Sequence, residues 1–213
     1  IDKDAFSLFI GGDQSISIGT TKLLLKNYNN LGILLLDAHP DCNTEKTTQT
    51  SNMHGMCIAF IVRKALPAVS EEFFKELPKP KVFMLGLRTF EKEELDNISG
   101  DKIKVLDFKK SISMDLVKLI NEIKDFFIDV NKVHISFSAN VMTPSLAPGV
   151  STPVKDGYVP EYIEEIFKQL VIHKLNIISL EISEINLLKD KEGQTLHYTF
   201  NIIKKLLQEI FQP

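Results

Sequence analysis

Short runs of apolar and β-branched residues alternate with longer amphipathic stretches along the whole chain. Six of these runs are uniformly apolar, which is typical of strands buried on both faces of a sheet. The six predicted strands are Ala5–Ile10, Leu31–Leu36, Lys81–Gly86, Ile103–Phe108, Lys132–Phe137 and Leu175–Leu180. Because helical stretches separate them, the pattern predicts an α/β fold with a three-layer, doubly wound parallel sheet rather than a barrel.

The stretches between the strands carry helix signals of their own. Ser113 is a candidate N-cap with Asp115 in the first turn, and apolar residues follow at helical spacing. Pro160 suits the first turn of another helix, and the segment from Leu196 to Ile210 repeats the pattern. No internal repeat or linker divides the sequence, so we expect a single domain over residues 1–213.

Composition narrows the class of protein. Of the 213 residues, 44% are hydrophobic and 25% are charged, which is ordinary for a globular domain. The formal net charge is −3 and the lysines are scattered, which argues against nucleic acid as a partner. No apolar run reaches the roughly 20 residues of a membrane span, and the start lacks the basic-then-apolar order of a signal peptide. We therefore expect a cytoplasmic or mitochondrial protein that is not secreted.

Polar clusters follow four of the predicted strands. Ligands of parallel sheets bind beyond the carboxyl ends of the strands, so we expect the chemistry there. The clusters are Gly11 to Ser15, Asp37 to Asp41, Ser138 to Asn140 and Glu181 to Asn186. In the second, Asp37, His39 and Asp41 alternate along an extended segment, which is ligand spacing for a divalent metal. A metal-free turn rich in Asp and His gives the same string.

Together and in order, these clusters resemble the arginase branch of the ureohydrolases. The segments that carry the resemblance are Gly11 to Gly19 (GGDQSISIG), Asp37 to Thr44 (DAHPDCNT), Thr47 to Gly55 (TTQTSNMHG), Ser136 to Pro153, and Glu184 to Asn186. The resemblance runs over nearly the whole chain and implies an arginase-like fold. Because the sequence opens almost directly into a strand, we expect that N-terminal strands of that fold are missing from it.

The resemblance also implies a chemistry. In the family, two Mn²⁺ ions share a hydroxide that attacks the guanidinium carbon of arginine, releasing urea and ornithine. The positions implied as metal ligands are Gln14, Asp37, His39, Asp41, Ser138 and Asn140. His54 matches a proton-shuttling histidine of the family, and Glu184 matches a glutamate that faces the guanidinium. From the sequence alone, His54 could equally be an ordinary loop histidine, and Glu184 could belong to an ion pair at the end of a strand. The positions implied for binding the rest of the substrate are Asn43, Thr48, Thr50, Asn52 and Glu91.

Three of the six metal positions depart from the family pattern. The family has His at Gln14 and Asp at Ser138 and Asn140. Two divalent ions about 4 Å apart repel by about 17 kcal/mol at an effective dielectric of about 20, and two of the four ligand carboxylates that offset this are gone. We therefore expect a pseudoenzyme without manganese, in which the three replacements donate hydrogen bonds around Asp37 and Asp41.

Three hypotheses follow, and we favour the first. It is a metal-free pseudoenzyme with a structural or regulatory role, as a homotrimer or as a subunit of a larger complex, in which His54 and Glu184 are vestigial. The second is a residual hydrolase of guanidines or amidines, with one weakly bound Mn²⁺ on Asp37, His39 and Asp41. The third is a module that binds arginine or ornithine through residues 43–52 without turnover.

Overall fold

A computed structural model describes residues 5–97, 100 and 102–211 of the chain. Six strands form one sheet in which all neighbours run parallel. The strands are β1 (Ser7–Ile10), β2 (Leu31–Leu36), β3 (Lys81–Leu85), β4 (Ile103–Leu106), β5 (Lys132–Ser138) and β6 (Ile177–Ser183). The helices are α1 (Ile16–Asn27), α2 (Cys57–Ile61), α3 (Pro67–Phe73), α4 (Lys92–Asn97), α5 (Phe108–Ser113), α6 (Leu116–Phe126), α7 (Pro160–Ile172) and α8 (Gln194–Phe211).

The strand order is β1-β6-β5-β2-β3-β4. The chain builds outward from β2 to β4 and then returns to place β5 on the opposite side of β2. Such a reversal opens a crevice at the carboxyl ends of the two strands that flank it. The six predicted strands and their parallel arrangement are confirmed. Strand β6 ends at Ser183 rather than at Leu180, so Glu181 lies inside the sheet and not in the loop after it.

Both faces of the sheet are covered by helices. On one face, Leu34 and Phe137 of the sheet belong to a core that includes residues of α6, α7 and α8. On the other face, Ile33 and Met84 belong to a second core with α1, α2 and the segment that follows α3. The three-layer prediction is therefore confirmed, because apolar side chains of neighbouring strands alternate between two cores. Across residues 5–97, 100 and 102–211, no helix has the length and apolar character to cross a membrane.

The start of α6 differs from the prediction. Asp115, not Ser113, is its N-cap, and the Asp115 side chain accepts a hydrogen bond of 2.9 Å from the Val117 amide. Ser113 is the last residue of α5, and its hydroxyl donates to the carbonyl of Lys110. Because Ser113 belongs to the short helix α5, it does not adopt the extended conformation of an N-cap, which Asp115 does.

Candidate functional site

An acidic cavity of about 390 Å³ opens at the carboxyl edge of the sheet. It is lined by residues that follow β2, β3, β5 and β6, at the crevice that the strand reversal creates. Four carboxylates line it, and no Lys or Arg is found among the lining residues that the structure describes. These carboxylates are Asp41, Glu91, Glu94 and Glu184. Their charge makes the cavity a site for a cation.

Asp37 and Ser138 lie buried beneath this cavity. Asp37 follows β2, and its Oδ1 accepts a hydrogen bond of 2.8 Å from the amide of His39. The Nδ1 atom of His39 lies 3.4 Å from the same oxygen. The Asp37 Oδ2 atom and the Ser138 hydroxyl are both buried and have no hydrogen-bond partner in the described part of the chain. A buried polar oxygen without a hydrogen-bond partner destabilises the folded protein, so these two oxygens call for a partner other than the described side chains.

Asp41 lies in a strained and crowded environment. Its φ of 52° is in the left-handed region, which a non-glycine residue adopts at a cost of order 1 kcal/mol. Burial raises the pKa of Asp41 well above its ordinary value of 3.8, and the charges of Asp37, Glu184 and Glu94 raise the pKa further. Four carboxylates therefore lie close enough to interact, which concentrates negative charge around one point.

Asn140 joins the ends of β5 and β2. Its Oδ1 accepts a hydrogen bond of 3.0 Å from the amide of Ala38, and its Nδ2 lies 3.3 Å from Nδ1 of His39. None of the three replacements, Asn140 included, bonds to the carboxylates of Asp37 or Asp41. The predicted hydrogen-bonded cluster around those two carboxylates is therefore wrong, because Asn140 is used to hold the loop after β2.

Glu184 reaches the cavity from the end of β6. Its φ of 65° is also left-handed, and its Oε1 accepts a hydrogen bond of 2.8 Å from the backbone amide of Gln14. The Nδ1 atom of His54 lies 4.0 Å from the same oxygen. Burial raises the pKa of Glu184, the Gln14 amide lowers it and the charge of Asp37 raises it. The structure thus brings together His54 and Glu184, the two residues that were interpreted from the sequence as vestigial catalytic positions.

The loop between β2 and α2 forms the outer wall. Its lining residues include all of the predicted substrate-binding positions, namely Asn43, Thr48, Thr50, Asn52 and, from beyond β3, Glu91. The side-chain amide of Asn43 donates a hydrogen bond of 2.8 Å to the Glu94 carboxylate, and the side-chain amide of Gln49 donates one of 2.9 Å to the Glu91 carboxylate. These bonds tie the loop to the segment that contains α4, so the wall of the cavity is held from both sides.

A buried polar network beneath the site was missed by sequence reasoning. Gln14 does not line the cavity; its side-chain amide donates to the hydroxyls of Ser17 and Ser136. Both serines donate in turn to the carboxylate of Glu181, and Ser183 donates to Gln14 Oε1. The only signal in the sequence is a polar residue at every second position of two strands that are otherwise apolar. These residues are His134, Ser136 and Ser138 in β5 and Ser179, Glu181 and Ser183 in β6.

The donors at the site fit a divalent cation. The unpartnered oxygens of Asp37 and Ser138 are hard donors, which Mn²⁺ and Mg²⁺ accept, and the interacting carboxylates supply negative charge. With the side chains in their present positions, no three His, Cys, Asp or Glu residues of the described chain converge as ligands. A bound ion would therefore require the side chains to move toward it.

Comparison with known proteins decides the family. The profile of the Arginase family matches residues 1–208. The chain belongs to the arginase family. The arginase of Bacillus subtilis (strain 168) is 32% identical to it over 212 residues, which are 97% of this chain and 70% of the relative. Among solved structures, arginase from Bacillus cereus superposes with a TM-score of 0.87 at 31% identity, over 94% of this chain and 70% of that one.

A second solved structure is also informative. The arginase of Entamoeba histolytica, determined in complex with L-ornithine, superposes with a TM-score of 0.86 at 26% identity. It is matched over 96% of this arginase-family chain and 70% of its own. The likeness therefore extends over nearly all of the described residues.

These comparisons overturn the expectation of an inactive pseudoenzyme without a metal. The relatives that align with almost the whole chain are named arginases, and solved arginases share its fold. The expectation counted charge only at the six ligand positions. In the structure, Glu184 and Glu94 also lie close enough to Asp41 to raise its pKa, so the carboxylates of the site are not limited to the ligand positions. The predictions of no enzyme activity and of no cofactor are both wrong.

Proposed function

We propose that this protein is a ureohydrolase that cleaves the guanidine group of a small cationic substrate, with L-arginine as the first candidate. The observation that supports it is the acidic cavity, in which Glu184 and His54 lie beside a group of interacting carboxylates. Water would add to the guanidinium carbon while the bond to the alkyl nitrogen breaks. A proton moves to that nitrogen, and urea and a primary amine leave.

The side chains divide this work by position. In this proposal Glu184 binds the guanidinium, because a carboxylate can accept two hydrogen bonds from its planar N–H groups. In the same proposal His54, whose side chain is 29% exposed and lies 4.0 Å from Glu184, carries protons between the site and solvent. The wall residues Thr48, Thr50 and Asn52 have neutral donors that suit the other end of an amino acid.

A divalent cation fits this mechanism, and manganese is the ion that the family implies. Asp37, His39 and Asp41 would hold it, together with the open oxygen of Ser138. When bound, such an ion supplies a water molecule of lowered pKa near neutral pH. The residues of the chain itself would orient the guanidinium and exclude bulk solvent from the floor of the cavity.

The direct test is release of urea from L-arginine by protein that has been incubated with MnCl₂. We expect Glu184→Gln to lower kcat/KM by about 100-fold, because the guanidinium loses its charged partner and its alignment. Glu192→Gln, an exposed charge removed by the same change outside the cavity lining, is the matched control and should leave the rate unchanged. Wild-type protein that releases no urea after metal loading would contradict the proposal.

We further propose that residues 1–213 act as one domain, in the cytoplasm, and assemble as a homotrimer. One sheet runs through the described residues, which supports a single domain. Exposed apolar side chains such as Leu187, Leu188 and Phe211 support an interface with other copies. Light scattering should give about 72 kDa, three times the 24.1 kDa of one chain. A mass of one chain at micromolar concentration would contradict the trimer.

A further inference from the structure

We propose that Gln14 is a positioning residue: its buried side chain is anchored by Ser17, Ser136 and Ser183 so that its backbone amide fixes Glu184 in the cavity. This inference rests on the proposed function only for the assignment of Glu184 to substrate binding. The role of Gln14 is argued from its own contacts.

Gln14 makes one set of contacts through its backbone amide and another through its side chain. Its backbone amide donates 2.8 Å to Oε1 of Glu184, which borders the cavity. Its side-chain Nε2 donates to the hydroxyls of Ser17 at 2.9 Å and Ser136 at 2.8 Å, away from the cavity. Gln14 is buried and both polar atoms of its side chain are hydrogen-bonded to serines, so the side chain serves as an anchor.

Donor and acceptor chemistry leaves the amide one orientation. The hydroxyl protons of Ser17 and Ser136 are directed to the carboxylate of Glu181, so both serine oxygens face Gln14 as acceptors. The NH₂ group of Gln14 must then point at the two serines. Its Oε1 is left to accept from Ser183, which is the contact that the structure has. If the side-chain amide of Gln14 were flipped by 180°, its NH₂ group would face the donating hydroxyl of Ser183, and its oxygen would face the accepting oxygens of Ser17 and Ser136.

Backbone hydrogen bonds also join the segment after β1 to the segment at the end of β6. The amide of Glu184 donates 2.7 Å to the carbonyl of Gly12, and the amide of Gly11 donates 3.0 Å to the carbonyl of Ile182. Glu184 therefore takes its left-handed φ of 65° on a segment that is held against the end of β1. Since a strained conformation persists only when its surroundings over-determine it, loss of the Gln14 anchor should release the Glu184 carboxylate.

The variants that test this are Gln14→Met, which removes all three anchoring hydrogen bonds, and Ser183→Ala, which removes the bond to Gln14 Oε1; both keep the backbone amide of Gln14. Ser179→Ala is the matched control, because Ser179 is also fully buried, on the same face of β6, but contacts His134 instead of Gln14. We expect both anchor variants to raise KM for L-arginine about tenfold or more, with a smaller change in kcat, while the control changes neither. Ser183→Thr, which keeps the hydroxyl, should restore KM.

Crystal structures of the wild type and of Ser183→Ala test the inference without reference to activity. We expect the backbone amide of Gln14 to remain within hydrogen-bond distance of Glu184 Oε1 in the wild type. In Ser183→Ala we expect the two groups to separate. If wild-type protein does not turn over arginine but the two structures differ in this way, the proposed function fails and the positioning role stands. An unchanged Glu184 in Ser183→Ala, or an equal rise in KM in Ser179→Ala, would overturn the positioning role.

Discussion

At the scale of single residues, burial decides how the acidic groups beneath the site behave. Glu181 is fully buried in β6, and burial raises its pKa above the ordinary value of 4.5, although hydrogen bonds from Ser17, Thr20 and Ser136 lower it. The folded protein therefore holds a proton on Glu181 at pH values where the unfolded chain has lost it. The contribution of this group to stability is complete below pH 4.5 and is lost as the pH rises through its folded-state pKa.

This predicts the effect of Glu181→Gln on the pH dependence of stability. The glutamine side chain cannot ionise, so the variant does not lose the stability that the wild type loses above pH 4.5. We expect the free energy of unfolding of the variant, relative to the wild type, to increase as the pH is raised from 4.5, measured by urea denaturation at a series of pH values. A difference that stays constant with pH would show that Glu181 is ionised in the folded protein.

Residues at the carboxyl edge of the sheet could be predicted from the sequence, and those that support them could not. Asp37, His39 and Asp41 directly follow a strand, so their place at this edge was readable from the pattern, although their side chains do not converge as metal ligands in the described part of the chain. The contact of Gln14 with Ser136 joins residues 122 positions apart and depends on how α1 packs against the sheet. Glu181 was placed in a loop, because nothing in a single sequence shows that a glutamate will find hydroxyl donors within a buried strand.

At the scale of elements, the apolar runs predicted the strands, whereas local capping depended on the neighbouring helix. Uniform runs such as Leu31–Leu36 are buried along their whole length, as the pattern indicates for a central parallel strand. The boundary between α5 and α6 is different, because Ser113 and Asp115 are both good N-cap residues in sequence. The choice between them was made by α5, which extends through Ser113.

The assignment of Asp115 as the cap of α6 is testable by a pair of substitutions. Asp115→Ala removes the acceptor of the Val117 amide and should lower the free energy of unfolding by about 1 kcal/mol. Ser113→Ala removes only an exposed hydroxyl bond to Lys110 and should lower it by less than about 0.5 kcal/mol. Chemical denaturation of both variants measures the difference. Equal losses, or a larger loss in Ser113→Ala, would return the cap to Ser113.

At the scale of the whole molecule, the prediction of inactivity, which the comparisons overturn, rested on charge counted along the sequence and not in space. The lost carboxylates at positions 138 and 140 were visible in the sequence. The approach of Glu184 and Glu94 to Asp41 was not, since it needs the ends of β2, β3 and β6 to meet. Electrostatic balance at a site is thus set by the fold that gathers the charges, even when every charged residue is already known.

That balance leads to a prediction for the stability of the intact protein. If the buried carboxylates and the open oxygens of Asp37 and Ser138 bind a divalent cation, MnCl₂ at about 100 times its Kd should stabilise the fold by about 2.7 kcal/mol. For a chain of this size we expect a rise in Tm of about 5–10 °C, reversed by a chelator. Asp37→Asn should abolish the rise, because it removes the central charge.

The converse substitution sharpens the test. Ser138→Asp combined with Asn140→Asp adds two carboxylates at the same edge of the sheet, so the same Tm rise should require less manganese in this variant. Without metal, the added like charges should lower its Tm relative to the wild type, because Ser138 and Asn140 are buried beside Asp37. A variant that is destabilised without metal and gains nothing from manganese would show that the buried carboxylates repel one another without holding a cation.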